Sequence, residues 1–167
     1  ETTNNVSYAC QQVVSSYDPN DKTPSPRGIG EEGAIDPKTK EISYLIRFQN
    51  EGTWRTYFVR VEDEIDPAFD INSLMVGDVS HPYRMVKTGR KLVWHFDDIE
   101  LTPKKENEAK SQGYIQYSMK LNSNLPLGTE IKNTAYIYFD YNPAIITNTA
   151  KNTLKVASGV KEINTKD

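Results

Sequence analysis

At 167 residues the chain is long enough for one well-buried core and too short for two ordinary domains. Hydrophobic residues at 37% and charged residues at 26% exclude a disordered chain, and a net charge of −3 gives no electrostatic reason to expect nucleic acid or an anionic membrane as partner. No apolar run reaches the roughly 18 residues of a membrane helix, so no membrane insertion is expected, and ten Tyr, nine Pro and nine Gly favour short strands and turns.

The chain opens Glu1-Thr2-Thr3 without an initiator Met or a signal peptide, which reads as a processed protein or an excised piece of one. Residues 1–16, with a strand-like Tyr8 to Val14, read as a lead-in that pairs with a sheet edge. Cys10 is the only cysteine, so no intrachain disulfide forms, and it reads as a small buried hydrophobe. The Pro-rich stretch Thr23 to Gly28 follows. Strict alternation then recurs. Ile42, Tyr44, Ile46 and Phe48 share one face, and so do Tyr57, Val59 and Val61. Leu92, Trp94 and Phe96 follow, and then Ile115, Tyr117, Met119 and Leu121. Ile131, Ala135, Ile137 and Phe139 form another such run, and a final strand is expected from Ile145 and Ile146 on to Leu154 and Val156.

Turn signals separate these runs, among them Asn50-Glu51-Gly52, Asp66-Pro67, Thr88-Gly89 and Asp140-Tyr141-Asn142-Pro143. The one helical candidate, Pro103 to Ser111, is polar all round and reads as a loop or single turn. The pattern predicts an all-β protein, an immunoglobulin-like antiparallel β-sandwich of seven to nine strands. The domain proper is expected over 17–157, with 158–167 as a flexible tail.

Chemistry is sparse. Asp18, Asn20 and Asp21 in the entry segment, with Asp140 and Asn142 in a late turn, supply oxygens for a calcium site if the two clusters meet. The competing reading is that these side chains cap turns, with Pro19 and Pro143 setting φ. No other cofactor is expected. An intramolecular isopeptide bond needs a lysine, an asparagine on a neighbouring strand and a buried carboxylate. Lys22 and Asn133 are candidates by position, although the preferred reading leaves Lys22 solvated and Asn133 bonded to backbone. The groups Asp63/Glu64/Asp66 and Asp97/Asp98/Glu100 read as solvated turns. His81 and His95 lack companions at zinc-ligand spacing. Tyr136, Tyr138 and Tyr141 point away from the Ile137 face and are candidates for gripping a sugar or a protein. No catalytic constellation stands out, so the chain is not expected to be an enzyme.

Three segments carry a family resemblance. They are Ser16-Tyr17-Asp18-Pro19-Asn20-Asp21-Lys22, then Ile46 to Thr53 with Gln49-Asn50-Glu51-Gly52, and then Leu125 to Thr149 through Gly128, Asn133, Ala135, Phe139, Asp140, Asn142 and Asn148. Together they resemble a conserved repeat-type β-sandwich domain found near the C-termini of large secreted Bacteroidota proteins, related to the DUF11 group of immunoglobulin-like surface modules. The resemblance covers roughly residues 16–150. It implies export by the type IX secretion system, a secreted or cell-surface location, and a C-terminal sorting domain after the module that this chain, ending at Asp167, does not contain. The function it implies is a non-catalytic structural or spacer module, whose partners are neighbouring domains of the same polypeptide. The alternative is an adhesive module for a surface glycan or protein, assisted by calcium.

Overall fold

Ile42, Tyr44, Ile46 and Phe48 alternate with Ser43, Leu45 and Arg47, so an extended backbone sends the first set inward and leaves the second half-covered. The computed structural model describes residues 18–156 and has twelve strands, of which the central ones repeat this pattern. The first six are β1 (Asp21–Ser25), β2 (Ala34–Ile35), β3 (Glu41–Gln49), β4 (Val59–Glu64), β5 (Met75–Val79) and β6 (Arg84–Thr88). The rest are β7 (Lys91–Phe96), β8 (Gln112–Lys120), β9 (Glu130–Asn133), β10 (Ala135–Phe139), β11 (Ile145–Ile146) and β12 (Ala150–Leu154). The strand expected at Tyr8 to Val14, Cys10 and the tail from Ser158 lie outside the described residues.

A four-stranded sheet in the order β1-β3-β8-β5 faces a five-stranded sheet in the order β11-β10-β4-β7-β6, and β2-β12-β9 form a third. Among the described residues, only the pairing of β2 with β12 is parallel. The facing sheets meet through aromatic rings. Phe48 of β3 lies 5.4 Å from Phe96 of β7 and 6.4 Å from Phe139 of β10, while Trp94 of β7 lies 5.4 Å from Tyr117 of β8. Each such side chain removed from water contributes about 1.5–3 kcal/mol, which makes this layer the main source of stability. The architecture is the antiparallel sandwich that the alternation predicts.

The strand count exceeds seven to nine partly because the chain changes sheets within expected runs, and partly because the exposed edge strands β5 and β6 carry no apolar alternation. The run from Ile131 to Phe139 is two strands, β9 and β10, that part at Thr134 and join different sheets. The expected final strand is likewise β11 and β12, separated by Thr147 to Thr149, and Val156 lies beyond both. Tyr57 falls outside β4 and is 60% exposed. Pro103 to Ser111 contains only a short 3-10 turn at Ala109–Ser111. Pro24 is accommodated in β1 because that strand lies at a sheet edge, where a missing N–H costs no ladder bond.

Gly113 shows how tightly the layers close. A Cβ there would stand 2.5 Å from the ring of Phe48, which is itself fully buried. Gly113→Ala is expected to lose about 1–3 kcal/mol of stability, read as a lower urea midpoint at unchanged slope.

The chain traverses the sandwich from end to end. The Asn20 side chain accepts the Gln49 N–H at 3.1 Å, which places the entry beside the last residue of β3. Leu154, by contrast, lines a surface depression with Lys40, Lys120 and Leu121, next to the first residue of β3.

A buried lysine, aspartate and asparagine

Among the described residues, the interior holds a polar cluster that contains a buried ion pair. In β4 the alternation Val59, Val61, Asp63, Ile65 continues inward through a carboxylate, and Asp63 is fully buried. It is not the solvated turn residue its sequence neighbourhood suggests, because β4 runs on through Glu64 before the turn. Lys22, expected in solvent, is 1% exposed. Its backbone explains why. The Lys22 N–H donates to the Asn148 side-chain oxygen at 2.9 Å, and the Asn148 amide donates back to the Lys22 carbonyl at 2.8 Å. This clamp holds β1 against the β11–β12 connection and turns the lysine side chain inward. Asn133, at the end of β9, follows Ile131 with period two and is 1% exposed.

Tyr117 of β8 gathers the three. Its hydroxyl accepts from Lys22 Nζ at 2.9 Å and from Asn133 Nδ2 at 2.9 Å, and it donates to Asp63 Oδ2 at 2.6 Å. One donor and two acceptor positions of a phenol are thereby used. Lys22 Nζ also donates directly to Asp63 Oδ2. The ammonium lies 4.9 Å from the ring centroid of Tyr44 and 5.3 Å from that of Tyr117, so the wall around it is aromatic. Two buried oxygens, Asp63 Oδ1 and Asn133 Oδ1, take no hydrogen bond among the described residues. Burial lowers the pKa of Lys22 to about 8, against the opposing pull of Asp63. Burial, reinforced by the Asp63 charge, pushes the Tyr117 phenol well above its ordinary value. An amine, a carboxylate and a carboxamide thus share one dry pocket closed to any outside substrate.

The calcium candidates do not share one depression: Asp18 lines one bordered by Gln49, Asp140 and Asn142 line a neighbouring one also bordered by Gln49, Asp21 lines a third, and Asn20 is buried. Asp18 caps the Asn20 N–H at 3.1 Å, and Asp21 pairs with Arg47, accepting from its Nε at 2.7 Å. Asp140 accepts the N–H groups of Tyr57 and Phe58 at 2.9 and 3.1 Å from a left-handed turn position, φ 51°. Asn142 donates to the Phe139 carbonyl at 2.9 Å. No group of three or more His, Cys, Asp or Glu side chains disposed around a metal position occurs among the described residues.

Of the surface tyrosines, Tyr141 is 95% exposed and leans its ring edge-on against Phe58 at 5.1 Å. Tyr136 is 39% exposed, whereas Tyr138 lies under the Arg60 guanidinium at 4.2 Å. Sequence reading overlooked Trp54. It is 84% exposed and borders the depression that contains Asp140 and Asn142. A tryptophan beside Gly52 in a turn-rich stretch is the signal that marks it. Within the same stretch Asn50 is an anchor. It donates to the carbonyls of Trp54 and Leu101 at 2.8 and 3.0 Å and accepts the Gly52 N–H at 3.0 Å.

No described helix is long and apolar enough to cross a membrane. Among the solved structures that share the fold are bacterial adhesin and pilin domains. The N-terminal domain of the Streptococcus gordonii adhesin Sgo0707 aligns at TM-score 0.56 and 16% identity, over 83% of this chain and 33% of that one. BcpA, the major pilin subunit of Bacillus cereus, aligns at 0.52 and 20%, over 80% of this chain and 39% of that one. ACE19, the collagen binding subdomain of the Enterococcus faecalis surface protein ACE, aligns at 0.51 and 9%, over 83% of this chain and 99% of that one. The chain therefore spans two fifths or less of the first two, and the likeness is one of fold: the immunoglobulin-like β-sandwich of adhesin and pilin domains. No curated protein matches in sequence. The model of a domain of unknown function, DUF7619, matches residues 18–153, almost all of the described fold, and the chain belongs to that family.

Proposed function

We propose that the chain is a non-catalytic spacer module of a secreted or cell-surface bacterial protein, one that sets the distance between neighbouring domains of the same polypeptide. The observation that carries this reading is the end-to-end path of the chain, which enters beside Gln49 and leaves beside Glu41, at opposite ends of β3. A module threaded this way adds its own length to whatever it joins. The nine residues of β3 alone span about 26 Å at the rise of an antiparallel strand. The fold shared with adhesin and pilin domains supports a surface location. The motifs around Lys22, Asn50 and Asn133 support export by type IX secretion from a Bacteroidota parent, ahead of a sorting domain.

Two copies fused in series are expected to lengthen the particle by at least about 26 Å in small-angle X-ray scattering. A pair no longer than a single copy would overturn the spacer reading. The adhesive alternative rests on Trp54 and Tyr141, exposed at the entry end. Saturable binding of the purified chain to a glycan or matrix-protein array, abolished by Trp54→Ala or Tyr141→Ala, would put adhesion in place of spacing.

A further inference from the structure

Independently of that reading, we infer that the protein joins Lys22 to Asn133 through an intramolecular amide bond, with Asp63 moving the protons. The geometry carries the inference. Lys22 Nζ and Asn133 Nδ2 both lie 2.9 Å from the Tyr117 hydroxyl, so the amine is within two hydrogen-bond lengths of the carboxamide it attacks. Asp63 touches the amine directly and shares the same hydroxyl. Because the pocket is dry and aromatic, it disfavours the ammonium–carboxylate pair relative to a neutral amine and a neutral acid. The lowered pKa of Lys22 has the same origin.

The step balances without an outside reagent. Lys22 passes one proton to Asp63, and the freed Nζ lone pair attacks Cγ of Asn133. An N–C bond forms while the carbonyl π pair moves to Oδ1, where the Asp63 acid donates a hydrogen bond. That contact gives a partner to Asn133 Oδ1, which otherwise has none among the described residues. Asp63 then takes the second proton from Nζ and delivers one to Nδ2. The Cγ–Nδ2 bond breaks and ammonia leaves. One amide replaces another, nothing is oxidised or reduced, and Asp63 ends as a neutral acid. The product carries no buried ammonium.

Intact-mass measurement of the purified full chain is expected to fall short of the sequence mass by one ammonia. Digestion should release a branched peptide that links the segments around Lys22 and Asn133. Lys22→Arg, Asn133→Ala and Asp63→Asn should each restore the full mass. A folded wild-type chain at full mass would overturn the inference, and so would an ammonia deficit without the branched peptide, which marks a cyclised asparagine. Persistence of the branched peptide in Asp63→Asn would remove Asp63 from the reaction. The wild-type result stands on its own if a variant fails to fold.

Discussion

In an Asn133→Ala background, where no cross-link can form, Asp63→Ala is expected to lower folding stability by about 3–5 kcal/mol, whereas Lys22→Met combined with Asp63→Leu should cost far less. Both charges sit in a pocket with no solvent exposure, held by each other and by Tyr117. Removing the carboxylate alone strands an ammonium among Tyr44, Tyr117 and the neighbouring Trp94, where hydration cannot reach it. Removing both partners and filling their volume with apolar atoms leaves nothing charged to desolvate, so the penalty largely cancels. Urea denaturation at neutral pH separates the outcomes, and equal losses in the single and double replacements would contradict a stranded ammonium as the source of the loss.

The wild-type chain should melt well above Asn133→Ala. Once Lys22 and Asn133 are joined, the unfolded chain carries a closed loop of roughly a hundred residues. On the chain-entropy account of cross-links, a loop of that size is worth about 4.7 kcal/mol, or on the order of 10–20 °C in melting temperature for a domain of this size. Truncation to alanine also removes the bond from Asn133 Nδ2 to Tyr117, a smaller loss of about 1 kcal/mol. The gap should persist in reducing agent, since Cys10 is the only cysteine and no disulfide can account for it. Calorimetry of the two proteins measures the difference, and coincident melting curves would contradict a covalent link.

The sandwich was legible because its central strands each bury one face, so period two appears directly in the residues. β5 and β6 were not legible. They lie at sheet edges, and most of their residues are exposed, so no apolar alternation marks them. The sheet change at Thr134 was hidden for a different reason. A strand that crosses from one sheet to another keeps its inward and outward faces, and only the hydrogen-bond partners change. In the polar cluster the periodicity pointed the right way. Asp63 follows Val59 and Val61 in step, and Asn133 follows Ile131. What misled was the general cost of burying charge, which makes an ionisable residue read as the end of a strand or as solvated surface. Only the tertiary structure shows the aspartate and lysine meeting to share that cost. The tyrosine that gathers them looked in sequence like ordinary core.

The inferred link between Lys22 and Asn133 has a mechanical consequence. Tension applied at Asp18 and at Val156 would reach Lys22 within β1, cross to Asn133, and leave through the last two dozen residues. The segment between positions 22 and 133, roughly 370 Å of contour if fully drawn out, would carry none of the load. A molecule built of such modules would keep its length under shear, even where an individual sandwich had loosened.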